Sequence, residues 1–316
     1  MLLENSKSIE QSDPETRATN SKGLNRKKAY LVCLIITFAA VYSQYLGIHF
    51  GLVLGGFIVY GIPVLAITFI WGTTVIKRFF NNTKSALKFG FASFGVFTVL
   101  GILLAIVILF FLILFNPNTV NLLQRPNPVL NVSPEFARIM IGVSLLVVGP
   151  AEEYVFRGFI FGGLLDIFKN RHWLTLAFVS SLLFAAVHLY YARVYEAASL
   201  IQFTDLVTFA MAMAVTYYLS GGNLFVPALI HGVYDATGFI GVATTMNVGV
   251  FLRGFLILFS IIVAIVVLVQ TRSKRSKGFG VLGFPSKVSS QTQTTSTPSL
   301  SASSLSKRSF KIDTQA

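Results

Sequence analysis

The chain has 316 residues, of which 54% are hydrophobic and only 12% are charged, and it includes 30 Phe. Ordinary soluble domains have an apolar fraction of about 45 to 50% with glycine counted in. This composition therefore excludes a soluble globular protein and indicates an integral membrane protein. The single cysteine, Cys33, excludes a disulfide framework and a cysteine-based metal site.

Long apolar stretches predict the architecture. A spanning helix needs roughly 20 mainly apolar residues, because lipid offers backbone groups no partner outside their own helix. By that measure the sequence predicts an all-α, polytopic membrane helix bundle with about eight transmembrane helices. The predicted spans cover residues 29–46, 50–71, 89–115, 136–165, 173–190, 203–220, 224–245 and 249–270.

The regions outside the predicted bundle, residues 29–270, are polar. Residues 1–28 are mixed in charge and predict a cytoplasmic N-terminal segment. Residues 271–316 are basic and rich in Ser and Thr, which predicts a disordered tail. The net charge of +13 lies mainly in tails and inner loops, where anionic lipid headgroups are the expected counter-charge. No nucleic acid is expected as a partner, because no folded basic surface accompanies these clusters.

Positive charge orients the predicted spans, because cytoplasmic loops carry an excess of Lys and Arg. Both termini are expected in the cytoplasm, since an even number of spans then places every basic cluster on that side. The opposite connections hold only Arg125 and Arg193. The basic residues that flank the predicted spans on the cytoplasmic side are Lys22, Arg26, Lys27, Lys28, Lys77, Arg78, Lys84, Lys88, Lys169, Arg171, Arg272, Lys274, Arg275 and Lys277.

Three ionisable residues interrupt the fourth predicted span, in the stretch GPAEEYVFRG. An ionised side chain near the bilayer centre costs about 2.5 to 3.5 kcal/mol on insertion scales, so such residues normally face the bundle interior and carry a function. Glu153 and Arg157 are spaced i, i+4 on one helix face, which predicts a structural ion pair. Glu152 lies about 100° round the helix from Glu153 and has no such partner in Arg157. It is therefore the candidate catalytic residue.

Two histidines lie in other predicted spans: His188 in the fifth, and His231 in the seventh with Asp235 one turn later. Glu152 and His188 each lie 18 residues from Asn170, so both would be about 27 Å from the bend there if both arms are helical. A carboxylate that orients an imidazole is a recurrent device of active sites and metal sites, which favours Asp235 in that role. For His188 alone, an interhelical hydrogen bond explains the residue as well as catalysis does.

Three short motifs in this sequence match the pattern of a known protein family. EEYVFRG matches EExxxR, FAAVH matches FxxxH and HGVYD matches HxxxN/D. In this order they resemble the CPBP family, the CAAX prenyl protease type II and bacteriocin-processing group, also called Abi, over about residues 136–240. The resemblance implies an intramembrane endopeptidase whose catalytic core, from the fourth to the seventh span, surrounds a cavity open to the cytosol.

The resemblance also implies roles for the polar residues. Glu152 and His188 would activate the attacking water, while His231 and Asp235 would stabilise the oxyanion. Asn is commoner than Asp at the last position of the pattern, and a carboxylate donates a hydrogen bond only when it is protonated. The implied substrate is a membrane-anchored peptide or protein, which the sequence does not identify further.

Two alternatives stay open from the sequence. Glu152, His188 and His231 could form a three-ligand Zn²⁺ site with an open fourth position. HExxH is absent, however, and the family has been described both as metalloprotease and as glutamate protease, so we favour water activation without a metal. The rival function is a proton- or cation-coupled transporter that uses the same Glu and His residues as a relay.

Overall fold

A computed structural model describes residues 14–43, 55–71, 74–77, 79–123, 127, 129–189 and 192–276. Every regular element within these residues is a helix. In chain order they are Pro14–Ser43 (α1), Ile62–Trp71 with the preceding wide turn Phe57–Gly61 (α2), Thr74–Lys77 (α3), Thr83–Phe115 (α4), Thr119–Leu123 (α5), Pro134–Ile167 (α6), Trp173–Ala186 (α7), Ala192–Tyr195 (α8), Glu196–Leu219 (α9), Phe225–Ala243 (α10) and Met246–Ser276 (α11).

Five of these helices are long and apolar enough to cross a membrane, namely α4, α6, α9, α10 and α11. Helices α2 and α7 are apolar but shorter. The prediction of an all-α integral membrane protein is therefore confirmed for the described residues, whereas the count of eight spans is not. The predicted first span follows α1 up to Ser43, and its remainder lies outside the described residues, as do residues 50–54 of the second. The predicted domain bounds stay predictions.

Helix α6 is irregular at its centre. It contains two stretches of π-helix, Ser144–Val148 and Tyr154–Phe161, on either side of the short α-helical segment Gly149–Glu153. Each turn of a π-helix takes up one more residue than an α-helical turn, and such turns often occur at functional sites. Pro150, which has no N–H to donate, comes two residues after the first stretch.

Neighbouring helices supply hydrogen bonds to the second π-helical stretch. Tyr30 Oη donates to Ile160 O at 2.9 Å, and Ser180 Oγ donates to Phe156 O at 3.2 Å. Both carbonyls are buried, where an acceptor is best paired. These bonds attach α1 and α7 to the part of α6 that carries the charged residues.

Helices α6 and α10 run antiparallel and meet backbone to backbone at two glycines. A Cβ atom at Gly149 would lie 2.8 Å from Gly232 N, and one at Gly232 would lie 2.8 Å from Ser144 O. Only residues without a side chain permit such an approach between membrane helices. Since Gly149 lies one turn before Glu153, and Gly232 directly follows His231, this contact places the carboxylates of α6 against the imidazole of α10.

Candidate active site

Glu153 is the centre of a buried polar cluster. Its Oε1 accepts a hydrogen bond from His231 Nδ1 at 2.7 Å and lies 3.1 Å from Arg157 Nη1. Arg157 Nη2 donates to Ala210 O at 3.3 Å, and its guanidinium carbon lies 4.7 Å from the centroid of the Phe184 ring. The pair of Glu153 and Arg157 is thus formed in the interior, where each charge lowers the burial cost of the other.

Contacts on several sides hold the His231 ring in one orientation. Its Nδ1 donates to Glu153, while the rings of Phe209 and Phe184 pack edge-on against it, with centroids at 5.0 and 5.9 Å. The sequence predicted Asp235 as the orienting carboxylate, but Glu153 is the group on Nδ1. The difference arises from the close approach of α6 and α10, which the spacing of residues along α10 does not reveal.

Two further carboxylates face the other nitrogen of His231. Its Nε2 lies 3.6 Å from Glu152 Oε2 and 3.5 Å from Asp235 Oδ2. Both distances exceed a direct hydrogen bond. Three carboxylates around one imidazole repel each other unless a proton is bound among them, on Nε2 or on a carboxyl group.

Glu152 lies at the edge of the buried cluster, with its side chain 12% exposed. Its Oε1 accepts a hydrogen bond from Tyr60 Oη at 3.3 Å. Its Oε2 is buried and has no hydrogen-bond partner among the described residues. Such an oxygen is costly to bury unless a ligand or solvent group donates to it. The sequence did not single out Tyr60, because one tyrosine in an apolar run carries no signal of its own.

His188 lies in the turn that follows α7, two residues past Ala186. Its Nδ1 is 2.8 Å from Phe184 O. A carbonyl oxygen only accepts, so Nδ1 carries the hydrogen and Nε2 is the acceptor nitrogen of the neutral ring. The predicted fifth span extended to residue 190, whereas α7 ends at Ala186, so the imidazole is presented by a turn rather than by the helix.

Two cavities meet at Glu152 and His188. One, of about 220 Å³, extends past His231 and Asp235 and is rich in polar groups. The other, of about 320 Å³, lies between α1, α2 and α6 and is mainly apolar. A peptide bond at this junction would have polar surroundings on one side and apolar surroundings on the other. The residues that line both cavities are Tyr60, Val129, Glu152 and His188.

The polar cavity extends from Glu152 towards one end of the helices, where the connection between α4 and α6 lies. Val129 and Leu130 of that connection line the polar cavity. In α6 its lining residues reach from Glu152 back to Met140, and in the antiparallel α10 they reach from His231 on to Phe239. The basic connection at residues 168–172 follows the opposite end of α6.

The candidate zinc ligands are not assembled around a common point. Among the described residues, no three His, Cys, Asp or Glu side chains are grouped as the ligands of one metal ion would be. Only Nε2 of His231 faces Glu152, because Nδ1 is engaged by Glu153. The zinc alternative for Glu152, His188 and His231 stays a prediction.

Fold and site together define a helical membrane protein with a buried Glu–His cluster beside a cavity. Residues 134–237 match the family described as Rce1-like, type II CAAX prenyl endopeptidase Rce1-like. This match confirms the family resemblance that the three motifs predict. Comparison with curated proteins and with solved structures found no match. The matched segment contains Glu152, Glu153, Arg157, His188, His231 and Asp235.

Proposed function

We propose that the protein is an intramembrane endopeptidase that hydrolyses a peptide bond in a membrane-tethered substrate, of CAAX type or related. The observation that carries the proposal is Glu152 Oε2, which has no hydrogen-bond partner within the described part of the chain and lies 3.6 Å from His231 Nε2 where two cavities meet. An acceptor in that position suits a water molecule next to a bound carbonyl group. The family match favours this function over the transporter.

Peptide hydrolysis needs a base for water, an acid for the leaving amine and donors for the tetrahedral oxygen. In the proposed mechanism Glu152 takes a proton from water as the water oxygen bonds to the carbonyl carbon. Glu152 then gives this proton to the nitrogen as the C–N bond breaks. His188 assists by accepting from the same water through Nε2, the acceptor nitrogen of its neutral ring. The products are one carboxylate and one amine.

His231 is suited to the oxyanion. The Glu153 carboxylate on Nδ1 favours the imidazolium form, in which Nε2 also carries a hydrogen and can donate. Asp235, 3.5 Å from Nε2, then acts as a second counter-charge, or as a donor when it is protonated. In this mechanism Glu153 is a positioning residue, because it acts through His231.

We further propose that both termini are cytoplasmic and that anionic headgroups contact the basic loops. The connection at residues 168–172 then faces the cytoplasm, and the polar cavity extends towards the opposite face. A substrate held in that half of the bilayer would reach Glu152 through the polar cavity, past Val129.

Purified protein in lipid vesicles tests the function. We expect a membrane-tethered peptide to yield two fragments whose masses add up to the substrate plus one water, and we expect a zinc chelator to leave the rate unchanged. A pH-sensitive dye inside the vesicles monitors proton flux, which the transporter alternative requires. Proton flux without fragments, from folded protein and a panel of tethered peptides, would contradict the proposal.

A further inference from the structure

Thr37 is a buried threonine of α1 whose hydroxyl is left without a bond. Its side chain is 1% exposed, and its Oγ1 makes no hydrogen bond within the part of the chain that the structure describes. A buried hydroxyl in this state is costly, because it has lost its bonds to water. Thr37 lies outside the segment that matches the family, so the match assigns it no role.

The other buried threonines satisfy their hydroxyls locally. Threonine in a helix usually donates to a backbone carbonyl of the preceding turn. The other four buried threonines of the described residues do so at 2.7 to 3.0 Å, namely Thr119, Thr208, Thr216 and Thr237. The equivalent acceptor for Thr37 is the carbonyl of Cys33, to which its hydroxyl does not donate. The hydroxyl of Thr37 is therefore left for a different group.

Thr37 lines the apolar cavity that Glu152 also lines. In the described residues, four buried polar side-chain atoms have no hydrogen-bond partner, and two of them belong to the ion pair of Glu153 and Arg157. The other two are Thr37 Oγ1 and Glu152 Oε2, both on side chains in the wall of this cavity. One occupant of the cavity can therefore satisfy both atoms.

Contacts along α1 hold Thr37 in the cavity wall. Tyr30, seven residues earlier, donates its hydroxyl to Ile160 O of α6 at 2.9 Å. Cys33, one turn before Thr37, has its Sγ 3.9 Å from Ala66 O of α2. Residues at intervals of four and seven share one face of a helix, so Thr37 lies on the face of α1 that packs against α2 and α6.

The size of the cavity limits the distance between Thr37 and Glu152. A compact cavity of 320 Å³ is about 8 Å across, which corresponds to two or three residues of extended peptide at about 3.3 Å per residue. A peptide whose scissile bond lies at Glu152 therefore brings a neighbouring main-chain amide to Thr37. A hydrocarbon chain in the same cavity brings no hydrogen-bonding group, so it would leave both oxygens unsatisfied.

We propose that the Thr37 hydroxyl donates a hydrogen bond to a main-chain carbonyl of the substrate, next to the bond that is cut. This inference rests on the proposed endopeptidase function and adds to it a substrate-binding residue from α1. The contact holds the peptide equally before and during hydrolysis, so it acts on KM rather than on kcat. Because every peptide has main-chain carbonyls, the contact positions the chain without selecting its side chains.

Thr37→Val keeps the shape of the side chain, removes the hydroxyl and tests the proposal on a membrane-tethered peptide. We expect KM to rise about fivefold at unchanged kcat, as the loss of one neutral hydrogen bond provides. Thr37→Ser keeps the hydroxyl and should keep KM. Thr216→Val is the matched control and should also keep KM, because its hydroxyl already bonds to Ala212 O and it lines neither cavity.

Thermal unfolding separates substrate binding from a structural role. Thr37→Val removes a buried hydroxyl that has no partner in the described residues, so its melting temperature should equal or exceed that of the unsubstituted protein. A lower melting temperature together with a lower kcat would show that Thr37 only supports the packing of α1, and the inference would be wrong. An unchanged KM would overturn the inference as well, while the endopeptidase function stands.

A backbone ester tests which group of the substrate Thr37 contacts. Two further tethered peptides have an ester in place of the amide on one side or the other of the scissile bond, since an ester carbonyl is the weaker acceptor. For one of them the unsubstituted protein should show a higher KM than for the amide peptide, and Thr37→Val should reduce this difference. Equal effects of the ester in both proteins would contradict a main-chain contact. If the unsubstituted protein cleaves none of the peptides, the proposed function fails, and the inference fails with it.

Discussion

His231 Nδ1 and Glu153 Oε1 lie 2.7 Å apart and join two motifs that are 78 residues apart in the chain. Glu153 Oε1 therefore contacts two side chains, because it also lies 3.1 Å from Arg157 Nη1. The EExxxR motif therefore positions an imidazole of another helix in addition to forming its own ion pair. Glu152, the neighbouring residue, faces the cavities instead.

Removing the charge of Glu153 is expected to harm both stability and activity. Glu153→Gln leaves the fully buried Arg157 without a counter-charge, which typically costs about 3 to 5 kcal/mol. It also removes the carboxylate that favours the His231 imidazolium, so hydrolysis should fall strongly. Thermal unfolding in detergent and peptide cleavage measure the two effects. Glu135→Gln, on the exposed first turn of α6, is the control, and an equal melting temperature for both variants would contradict the assignment.

Tyr60 is expected to support Glu152 through its hydroxyl. Tyr60→Phe removes a hydrogen bond of 3.3 Å to the carboxylate, and loss of a bond to a charged group corresponds to about a tenfold lower kcat. Steady-state kinetics on a tethered peptide measure the change. Tyr154→Phe is the matched control, because its hydroxyl bonds to Thr68 and lines neither cavity. Equal kcat values for the two variants would exclude this role for Tyr60.

The crossing of α6 and α10 is expected to be intolerant of even one methyl group. Gly149→Ala would place a Cβ within 2.8 Å of Gly232 N, so the helices must separate and Glu153 must move away from His231. We expect a lower melting temperature and loss of hydrolysis. Gly142→Ala, on the same helix, meets nothing within 4 Å and should leave both unchanged. Similar behaviour of the two alanine variants would show that the crossing does not position the site.

Local features of the site were predictable from the sequence, and the contacts between helices were not. The ion pair of Glu153 and Arg157 was predictable because the two residues lie four positions apart in one helix. The bond from His231 to Glu153 depends on a backbone contact at Gly149 and Gly232, and a glycine in a sequence does not indicate which helix it will touch. The motif resemblance brought His231 near Glu152, but the spacing along α10 indicated Asp235, rather than Glu153, as the carboxylate that orients its ring.

The lengths of the helices were also only partly predictable. Hydropathy extended the fifth predicted span to residue 190, because Val187 and Leu189 are apolar, whereas α7 ends at Ala186. The π-helical stretches of α6 have no apolar pattern that distinguishes them from α-helix. Arg253 and Tyr60 line the polar cavity from helices outside the three motifs, so motif spacing could not include them.

The orientation in the membrane is testable by cysteine labelling. In a Cys33→Ala background, Val129→Cys should react with a membrane-impermeant maleimide added to intact cells, and Asn170→Cys should react only after lysis, because the basic loops face the cytoplasm. Both native side chains are exposed. The family resemblance instead implies a cavity that is open to the cytosol. Because Val129 lines the cavities, Val129→Cys would then react only after lysis. External labelling of Asn170→Cys would contradict the charge-based orientation.

The central claim is that the Glu152 carboxylate activates water for peptide hydrolysis. The most direct measurement is the cleavage rate of a membrane-tethered peptide by Glu152→Gln, compared with Glu135→Gln and the unsubstituted protein at equal amounts of folded protein. Gln has nearly the same shape as Glu and keeps an acceptor for Tyr60, but it cannot take a proton from water. We predict that Glu135→Gln cleaves at the unsubstituted rate and that Glu152→Gln yields no fragments. Cleavage by Glu152→Gln at an undiminished rate would contradict the claim.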